Sequence, residues 1–265
     1  MLWIKSSWTF AMLLVFFGQA SRAAVVAETG FNDALGINSN GTTDSPYELN
    51  ATAHGQGAGE TGWLGTWQVV SGPVTNSNVQ NTVTLEGDGA LHAQPTTNTY
   101  RSWAAPQSGI FTVEQYLRFT ENSRSVIYLY ESSGGVISAG ESGPVWNAFP
   151  DGTVSVNDGI GDGGGMIEDT GFDWEADVWH KFTTLVDVPS QTYRFFMDGN
   201  EYLAPDPLGF RGAPTSIDSI NYLAEVSGSG TYIDSLRIVP EPSTFMLVAI
   251  GLLGMLACRW RKFRC

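Results

Sequence analysis

The sequence predicts an all-β protein, an antiparallel sandwich of two sheets, between apolar segments at both ends of the chain. Gly, Ser, Thr, Asn and Asp punctuate short apolar stretches throughout, as they do in all-β folds. Several of these stretches alternate apolar and polar residues with the two-residue period of a strand. Residues 24–239 show no long helical pattern and no fixed-period repeat, and they are numerous enough for one hydrophobic core.

Residues 1–23 predict a secretory signal peptide with its short helix. Lys5 supplies a positive charge, and the stretch from Trp8 to Phe17 is almost wholly apolar. Ser21-Arg22-Ala23 follows and ends in a small residue, so signal peptidase is expected to cleave after Ala23. A short membrane anchor is the alternative interpretation, but the apolar run is short for that role.

The C-terminal residues predict a second hydrophobic helix. Phe245 to Cys258 contains 14 apolar or small residues. As a helix such a run is about 21 Å long, against about 30 Å for the hydrocarbon core of a bilayer, so it is a marginal membrane-spanning segment. By the positive-inside rule, the basic residues beyond this run stay in the cytoplasm. Residues 24–239, which we call the body, then lie on the other side of the membrane. These basic residues are Arg259, Arg261, Lys262 and Arg264.

Pro240, Glu241 and Pro242 precede this helix, and the prolines keep the segment extended. The order of a Pro-Glu-Pro motif, a short apolar helix and a basic end over residues 240–265 resembles the PEP-CTERM sorting signal of Gram-negative bacteria. The resemblance implies transient membrane insertion, recognition by an exosortase and cleavage near the motif. It also implies export to the cell envelope or extracellular matrix, often in bacteria that make exopolysaccharide or biofilm.

Removal of both ends leaves a strongly acidic body without cysteine. Six of the 13 Lys and Arg residues and one of the 27 Asp and Glu residues lie in the ends, so seven basic and 26 acidic side chains remain, a formal charge of −19. This charge argues against nucleic acid as a partner and attracts divalent cations. Cys258 and Cys265 both lie in the tail, so the body has no disulfide, thiolate nucleophile or cysteine-bound zinc.

Alternation and turn residues predict the strands of the body. In residues 109–120, Phe111, Val113, Gln115, Leu117 and Phe119 fall on one face. Short separate strands are predicted at 65–72 and 81–87. Paired strands are predicted at 109–120 with 124–132, at 178–188 with 191–203, and at 215–226 with 230–239.

The paired stretch that opens with Trp179-His180-Lys181-Phe182 and closes with Asp198-Gly199 resembles the core hairpin of concanavalin A-like, laminin-G-type jelly rolls. Residues 231–238 resemble their final strand, which returns beside the first. The resemblance implies a lectin-like domain over residues 24–239 that binds carbohydrate or extracellular matrix. Since this kind of fold hosts many activities, it indicates the fold more directly than the function.

No motif in the sequence predicts catalysis. The Glu-x-Asp-x-x-Glu pattern of laminarinase-type hydrolases, the serine nucleophile elbow and the histidine spacing of zinc proteases do not occur. Asp173 and Glu175 could share a strand face, although a solvated acidic loop explains them more simply. We therefore expect a protein that binds without catalysing. A glycoside hydrolase acting on exopolysaccharide and a structural surface protein without a ligand are the alternatives.

Tryptophans supply the candidate residues for carbohydrate. Sugar rings stack on exposed indoles, where their C–H faces meet the π cloud. Trp67 and Trp179 occupy strand patterns and are expected in the core. The predicted stacking residues flank loops instead, and they are Trp63, Trp146 and Trp174.

A glycine-rich loop at residues 157–165 supplies the candidate metal ligands. Asp158 and Asp162 offer carboxylate oxygens in a segment that could fold tightly around Ca²⁺. The loop lacks the twelve-residue EF-hand pattern, and a flexible loop with solvated carboxylates is the alternative interpretation. No other cofactor is predicted.

Overall fold

The computed structural model describes residues 25–31, 34–35, 47–48, 53, 60, 62–87, 89–132, 139–159, 166–225 and 230–241. The predicted signal helix and C-terminal helix lie outside these residues. Within the described ranges no helix is long and apolar enough to cross a membrane. The strands, in chain order, are β1 (Ala27–Thr29), β2 (Ala34–Leu35), β3 (Tyr47–Glu48), β4 (Trp63–Ser71), β5 (Ser77–Gln80), β6 (Ala90–Ala93), β7 (Thr97–Gln107), β8 (Ile110–Phe119), β9 (Ser125–Tyr130), β10 (Ser142–Ala148), β11 (Thr153–Asp158), β12 (Met166–Asp173), β13 (Trp179–Asp187), β14 (Thr192–Met197), β15 (Asn200–Glu201), β16 (Leu208–Gly209), β17 (Ile217–Ala224) and β18 (Thr231–Pro240).

Two large antiparallel sheets contain nearly all of these strands. The nine-stranded sheet has the order β15-β14-β13-β8-β18-β6-β5, with β1 beside β18 and β16 beside β14. The seven-stranded sheet has the order β12-β11-β10-β9-β17-β7-β4. β2 and β3 form a small parallel pair, and short 3₁₀ turns lie at Val74–Asn76 and Ala139–Glu141. The predicted all-β sandwich of two antiparallel sheets is confirmed.

The core lies between the two sheets and is built by strand alternation. The five residues predicted on one face of β8 are all buried, whereas the residues between them are partly exposed. Across the core, Trp146 of β10 stacks on Phe182 of β13 with ring centroids 4.5 Å apart. The one polar residue of the buried β8 face, Gln115, accepts a hydrogen bond of 2.5 Å from the Tyr222 hydroxyl of the other sheet. Both sheets therefore contribute to one continuous core.

Strand positions were predicted more successfully than strand partners. β13 and β14 form the predicted antiparallel pair. The predicted pairing of 109–120 with 124–132 is wrong, because β8 pairs with β13 whereas β9 pairs with β10 and β17 in the other sheet. Asn122, at φ 59°, lies in the short connection where the chain changes sheets. The predicted pair 215–226 and 230–239 is separated in the same way, as β17 and β18.

The predicted strand at 81–87 is replaced by an irregular loop. The backbone N–H groups of Leu85 and Glu86 donate to the Asp234 carboxylate at 2.9 and 3.2 Å, instead of to a neighbouring strand. Asp234 belongs to β18 and is completely buried. A buried carboxylate thus takes the backbone donors that a strand would offer to its partner.

The first and last strands of the body lie side by side. Ala27 of β1 is opposite Ile238 of β18, and the backbone N–H of Val26 donates to the Ile238 carbonyl at 2.8 Å. Arg237 Nε and Glu28 Oε1 are 2.5 Å apart on the same pair of strands. This agrees with the expected return of the final strand beside the first.

Candidate functional site

The outer face of the seven-stranded sheet carries many polar and aromatic side chains, with the apolar Val126, Val145 and Leu223 among them. On its inner face Ile127, Leu129, Trp146 and Tyr222 belong to the core. Because side chains alternate along a strand, the residues between them point away from the core. We call the amide, phenol and hydroxyl side chains at the middle of this outer surface the polar face. It comprises Asn98, Tyr100, Tyr128, Tyr130, Asn147, Asn157, Ser219 and Asn221.

Asn221 lies at the centre of the polar face. It is opposite Tyr100 of β7 on one side and opposite Tyr128 of β9 on the other. Both tyrosines are partly exposed, whereas Asn221 is 0% exposed, so its amide is recessed between two aromatic side chains. The Asn221 Nδ2 group donates to Asn98 Oδ1, which orients the amide.

Two amide oxygens of the polar face retain unused hydrogen-bonding capacity. Asn221 and Asn157 are 0% and 9% exposed, and within the described part of the chain no group donates to the Oδ1 atom of either. A buried acceptor without a donor costs about 1–3 kcal/mol. Both oxygens are covered by neighbouring side chains, so O–H or N–H groups of a ligand would recover part of that cost once those side chains move aside.

The tyrosine hydroxyls of this face add donors. Tyr130 is completely buried, and its ring centroid is 6.5 Å from that of Tyr100. Burial first, and then the neighbouring Tyr100 and Asp218, raise the pKa of Tyr130 above its ordinary value. The hydroxyl therefore stays protonated. Beside it, Ser219 Oγ lies 2.6 Å from Ser102 Oγ and donates to Asp218 Oδ1 at 2.8 Å.

Arg211 brings a positive charge to the same face. Its guanidinium carbon lies 5.8 Å from the ring centroid of Tyr128. The backbone N–H of Arg211 donates to the Gly143 carbonyl at 3.2 Å, and that of Gly212 donates to the Ser142 carbonyl at 2.7 Å. Through these hydrogen bonds the loop that follows β16 packs along the start of β10. The arginine is therefore positioned by the backbone, independently of its side chain.

The predicted stacking tryptophans do not lie on this face. Trp63, Trp146 and Trp174 are 7%, 1% and 6% exposed, and all three belong to the core between the sheets. The prediction that their rings are exposed for sugar stacking is wrong. Trp67 is buried as expected, but Trp179, also expected in the core, is the partly exposed tryptophan of the described residues.

Specific contacts explain why two of these indoles, Trp63 and Trp174, are buried although loops flank them. Trp63 packs against Trp67 with centroids 6.1 Å apart, and its Nε1 donates to the Glu28 carbonyl at 3.1 Å. Trp174 packs against Phe119 at 5.0 Å, and its Nε1 donates to the Phe149 carbonyl at 3.1 Å. In both residues the indole N–H has a backbone partner, so the ring can close the edge of the core.

The structure gives Asp158 a structural partner. Its Oδ1 accepts a hydrogen bond of 2.7 Å from the Gly209 backbone N–H, which joins β11 to β16. Asp162 lies outside the described residues. The described residues contain no group of three or more His, Cys, Asp or Glu side chains that could hold a metal ion. The calcium site at Asp158 and Asp162 stays a prediction.

The other residues considered for chemistry are placed by the fold. His180 is buried; its Nε2 accepts from the Glu175 backbone N–H at 3.2 Å and its Nδ1 lies 2.7 Å from Asp198 Oδ2. These contacts assign the proton to Nδ1 and connect β13 to the preceding loop and to the turn that follows β14, so His180 has a structural role. Asp173 ends β12 opposite Thr153, and Glu175 lies in the next loop.

The sorting motif begins where the last strand ends. Pro240 is the final residue of β18, and Glu241 is exposed. The remaining predicted residues of the tail lie outside the described part of the chain: Pro242, Arg259, Arg261, Lys262 and Arg264.

Comparison with known protein families identifies the C-terminal segment. Residues 239–262 match the PEP-CTERM protein-sorting motif. The resemblance drawn from the Pro-Glu-Pro motif, the apolar run and the basic end is therefore confirmed, and the chain carries the signal of exported proteins that are processed by an exosortase. A search of curated proteins finds no match to the chain.

Comparison with solved structures finds distant similarity of the body. A sialidase has a TM-score of 0.46 and 13% identity, covering 63% of this chain and 17% of its own. The carbohydrate-binding module CBM66 from Bacillus subtilis has a TM-score of 0.44 and 10% identity, covering 65% and 94%. A botulinum neurotoxin serotype G binding domain has a TM-score of 0.46 and 9% identity, covering 87% and 51%. Similarity at this level does not assign a function, which has to be argued from the site.

Proposed function

We propose that the protein is an exported, non-enzymatic carbohydrate-binding protein of the bacterial envelope or extracellular matrix, and that the polar face holds the glycan. The observation that carries this proposal is the recessed Asn221 amide between Tyr100 and Tyr128. A sugar offers C–H faces to aromatic rings and hydroxyl donors to amide oxygens. The polar face offers both kinds of partner in one place.

The neutral character of the face favours binding over hydrolysis. A glycosidase needs two carboxyl groups beside the scissile bond. The side chains that define the polar face are amides, phenols and a hydroxyl. The neighbouring Asp218 accepts hydrogen bonds from the Ser132 backbone N–H at 2.8 Å and from Ser219 Oγ. Its hydrogen bonds support a positioning role, and the hydrolase and ligand-free structural alternatives become outcomes of the test.

The test is a glycan array probed with residues 24–239, because Val25–Val239 form one compact unit. We expect at least one glycan to bind, and Tyr128→Ala to weaken that binding about ten-fold or more, as loss of an aromatic stacking partner does. Tyr116→Ala is the matched control, because Tyr116 is a partly exposed tyrosine on the outer face of the nine-stranded sheet. Equal loss in both variants, or no binding to any glycan, would contradict the proposal.

Catalysis is tested on the same ligand. The bound glycan should release no reducing ends during prolonged incubation with the protein. Release that persists after repurification, and that disappears in a carboxylate variant near the polar face such as Asp218→Asn, would establish the hydrolase alternative instead.

Export is tested separately from binding. We propose that an exosortase cleaves near Pro240-Glu241-Pro242 after transient insertion of the C-terminal helix. Replacement of the three residues by alanine should leave full-length protein in the inner membrane, detected by fractionation and immunoblotting. A trimmed, released protein from this variant would show that the motif is not required for sorting.

A further inference from the structure

The distribution of positive charge sets Arg211 apart from the other cations of the body. The body has only seven Lys and Arg residues against 26 Asp and Glu residues. Six of the seven form ion pairs with carboxylates: Arg101, Arg118, Arg124, Lys181, Arg194 and Arg237. Arg211 is the seventh, and no carboxylate of the described residues pairs with it. It lies over Tyr128 on the polar face instead.

Within the described residues the Arg211 side chain forms no hydrogen bond or ion pair, and its contact is with the Tyr128 ring. The backbone bonds to Gly143 and Ser142 already hold its loop. The nearby carboxylates have other donors: Asp158 accepts from the Gly209 N–H, and Glu131 accepts from the Thr215 and Ser216 side chains at 2.9 and 3.1 Å. An arginine stays charged at every physiological pH. In a chain with so many carboxylates, its position beside the polar face leaves a positive group available to a ligand.

We propose that Arg211 binds a carboxylate of the ligand, so that the polar face selects acidic saccharides over neutral ones. This inference rests on the proposed carbohydrate-binding function. A guanidinium can hold a carboxylate through two parallel N–H···O bonds, which is a strong and directional contact. The Tyr128 ring and the Asn221 oxygen then remain for the sugar ring and its hydroxyls. The formal charge of −19 repels polyanions at long range, so the selectivity arises from this short-range contact.

Matched ligands isolate the carboxylate. Hexamers of galacturonate and of glucuronate are compared with their methyl esters, which keep the sugar backbone and remove the charge. Calorimetry is done at 150 mM NaCl, where the Debye length is about 8 Å and distant carboxylates of the protein are screened. We expect at least one acid to bind about ten- to a hundred-fold more tightly than its ester, as expected for a hydrogen-bonded charged group.

Variants of Arg211 test the assignment. Arg211→Ala should reduce the acid-to-ester ratio to about one, and Arg211→Lys should give an intermediate ratio, because lysine lacks the planar fork. Arg194→Ala should keep the full ratio, since Arg194 pairs with Glu201 on the nine-stranded sheet. Thermal melting of each variant confirms that it is folded.

The outcomes separate the two proposals. Equal binding of acid and ester, exclusive binding of neutral glycans on the array, or an unchanged ratio in Arg211→Ala would overturn the role of Arg211 while carbohydrate binding stands. Absence of binding to every acid, ester and array glycan would overturn the proposed function, and the inference would fail with it.

Discussion

The two sheets of the body turn chemically different faces away from their shared core. The outer face of the nine-stranded sheet carries ion pairs, including Lys181 with Glu114 at 2.5 Å and Arg194 with Glu201 at 2.5 Å. The polar face of the seven-stranded sheet carries amides, phenols and hydroxyls, several of them completely buried. Among the described residues, the first surface carries several ion pairs, whereas the second carries few charges, among them Arg211 and Asp169, and has two amide oxygens without a donor, at Asn221 and Asn157, against one, at Asn78, on the first.

This difference indicates which surface is adapted to a ligand. Exposed ion pairs are solvated on both partners and contribute about 0–1 kcal/mol each. Burial of an amide oxygen without a donor is unfavourable, as at Asn221 and Asn157. Folds retain such local conflicts mainly at functional sites. The polar face is therefore the better candidate site, although the other sheet displays more charge and the partly exposed Trp179.

The largest expected effect comes from the ion pair that sits inside the sandwich. Arg101 of β7 is completely buried, pairs with Glu60, and lies 4.7 Å from the Trp63 ring centroid. Arg101→Ala removes the ion pair and the cation–π contact and leaves a cavity. We expect the free energy of unfolding, measured by urea denaturation, to fall by about 3–5 kcal/mol.

The matched control is the ion pair on the outer face of the other sheet. Lys181→Ala removes a partly exposed pair with Glu114 and should lower the free energy of unfolding by about 0–1 kcal/mol. If Lys181→Ala and Arg101→Ala lowered the free energy of unfolding by similar amounts, the fold would not depend more on the buried charge than on the surface charge.

The second effect concerns pH and two groups of the nine-stranded sheet. Burial raises the pKa of Asp234 to about 6, and burial lowers the pKa of His92 to about 4. The contribution of Asp234 to the free energy of unfolding is complete below the unfolded pKa of about 3.8 and is lost as pH rises through about 6. The His92 contribution is complete above about 6.5 and is lost as pH falls through about 4. In the native protein the two contributions therefore oppose each other between pH 4 and 6.5.

Single variants should separate the opposing contributions. Asp234→Asn removes the contribution that falls with pH, so its unfolding free energy should rise more steeply than that of the native protein from pH 4 to 6.5. His92→Gln should have the opposite effect. A difference of one pKa unit between the folded and unfolded states changes the free energy of unfolding by at most about 1.4 kcal/mol. Parallel stability–pH curves for all three proteins, measured by urea denaturation, would show that neither group titrates differently in the folded state.

The sequence predicted the elements of the fold because they depend on local patterns. Alternation identified β8 and its five buried residues, and turn residues identified the β13–β14 pair. The partners of β9 and β18 could not be predicted in this way, because a short connection allows either a hairpin or a change of sheet. The choice depends on how the two apolar faces combine into one core, which is a property of the whole chain.

The candidate site was missed because an individual residue does not reveal which surface it joins. Tyr128 and Tyr130 alternate with Ile127 and Leu129, so the sequence already places the tyrosines on the opposite face of β9 from the core. The recess around Asn221, however, requires three strands to lie side by side. The tryptophans were selected because loops flank them, but a large ring beside a loop can close the end of a core as readily as it can face solvent.

The smallest expected effect on stability distinguishes a ligand site from an ordinary buried polar cluster. Asn221→Leu keeps the branched shape of the side chain, although its methyl groups are larger than the amide atoms. It removes the amide oxygen that has no donor, and it also removes the bond from Asn221 Nδ2 to Asn98. Since the lost bond and the relieved acceptor are of similar size, the free energy of unfolding should change by no more than about 1 kcal/mol. Glycan binding should nevertheless weaken about ten-fold or more, because the recess between the two tyrosines loses its acceptor. Thr112→Val on the outer face of the nine-stranded sheet is the control and should leave binding unchanged. A large loss of stability in Asn221→Leu with unaltered binding would identify the amide as a structural group and would remove the main distinction between the two faces.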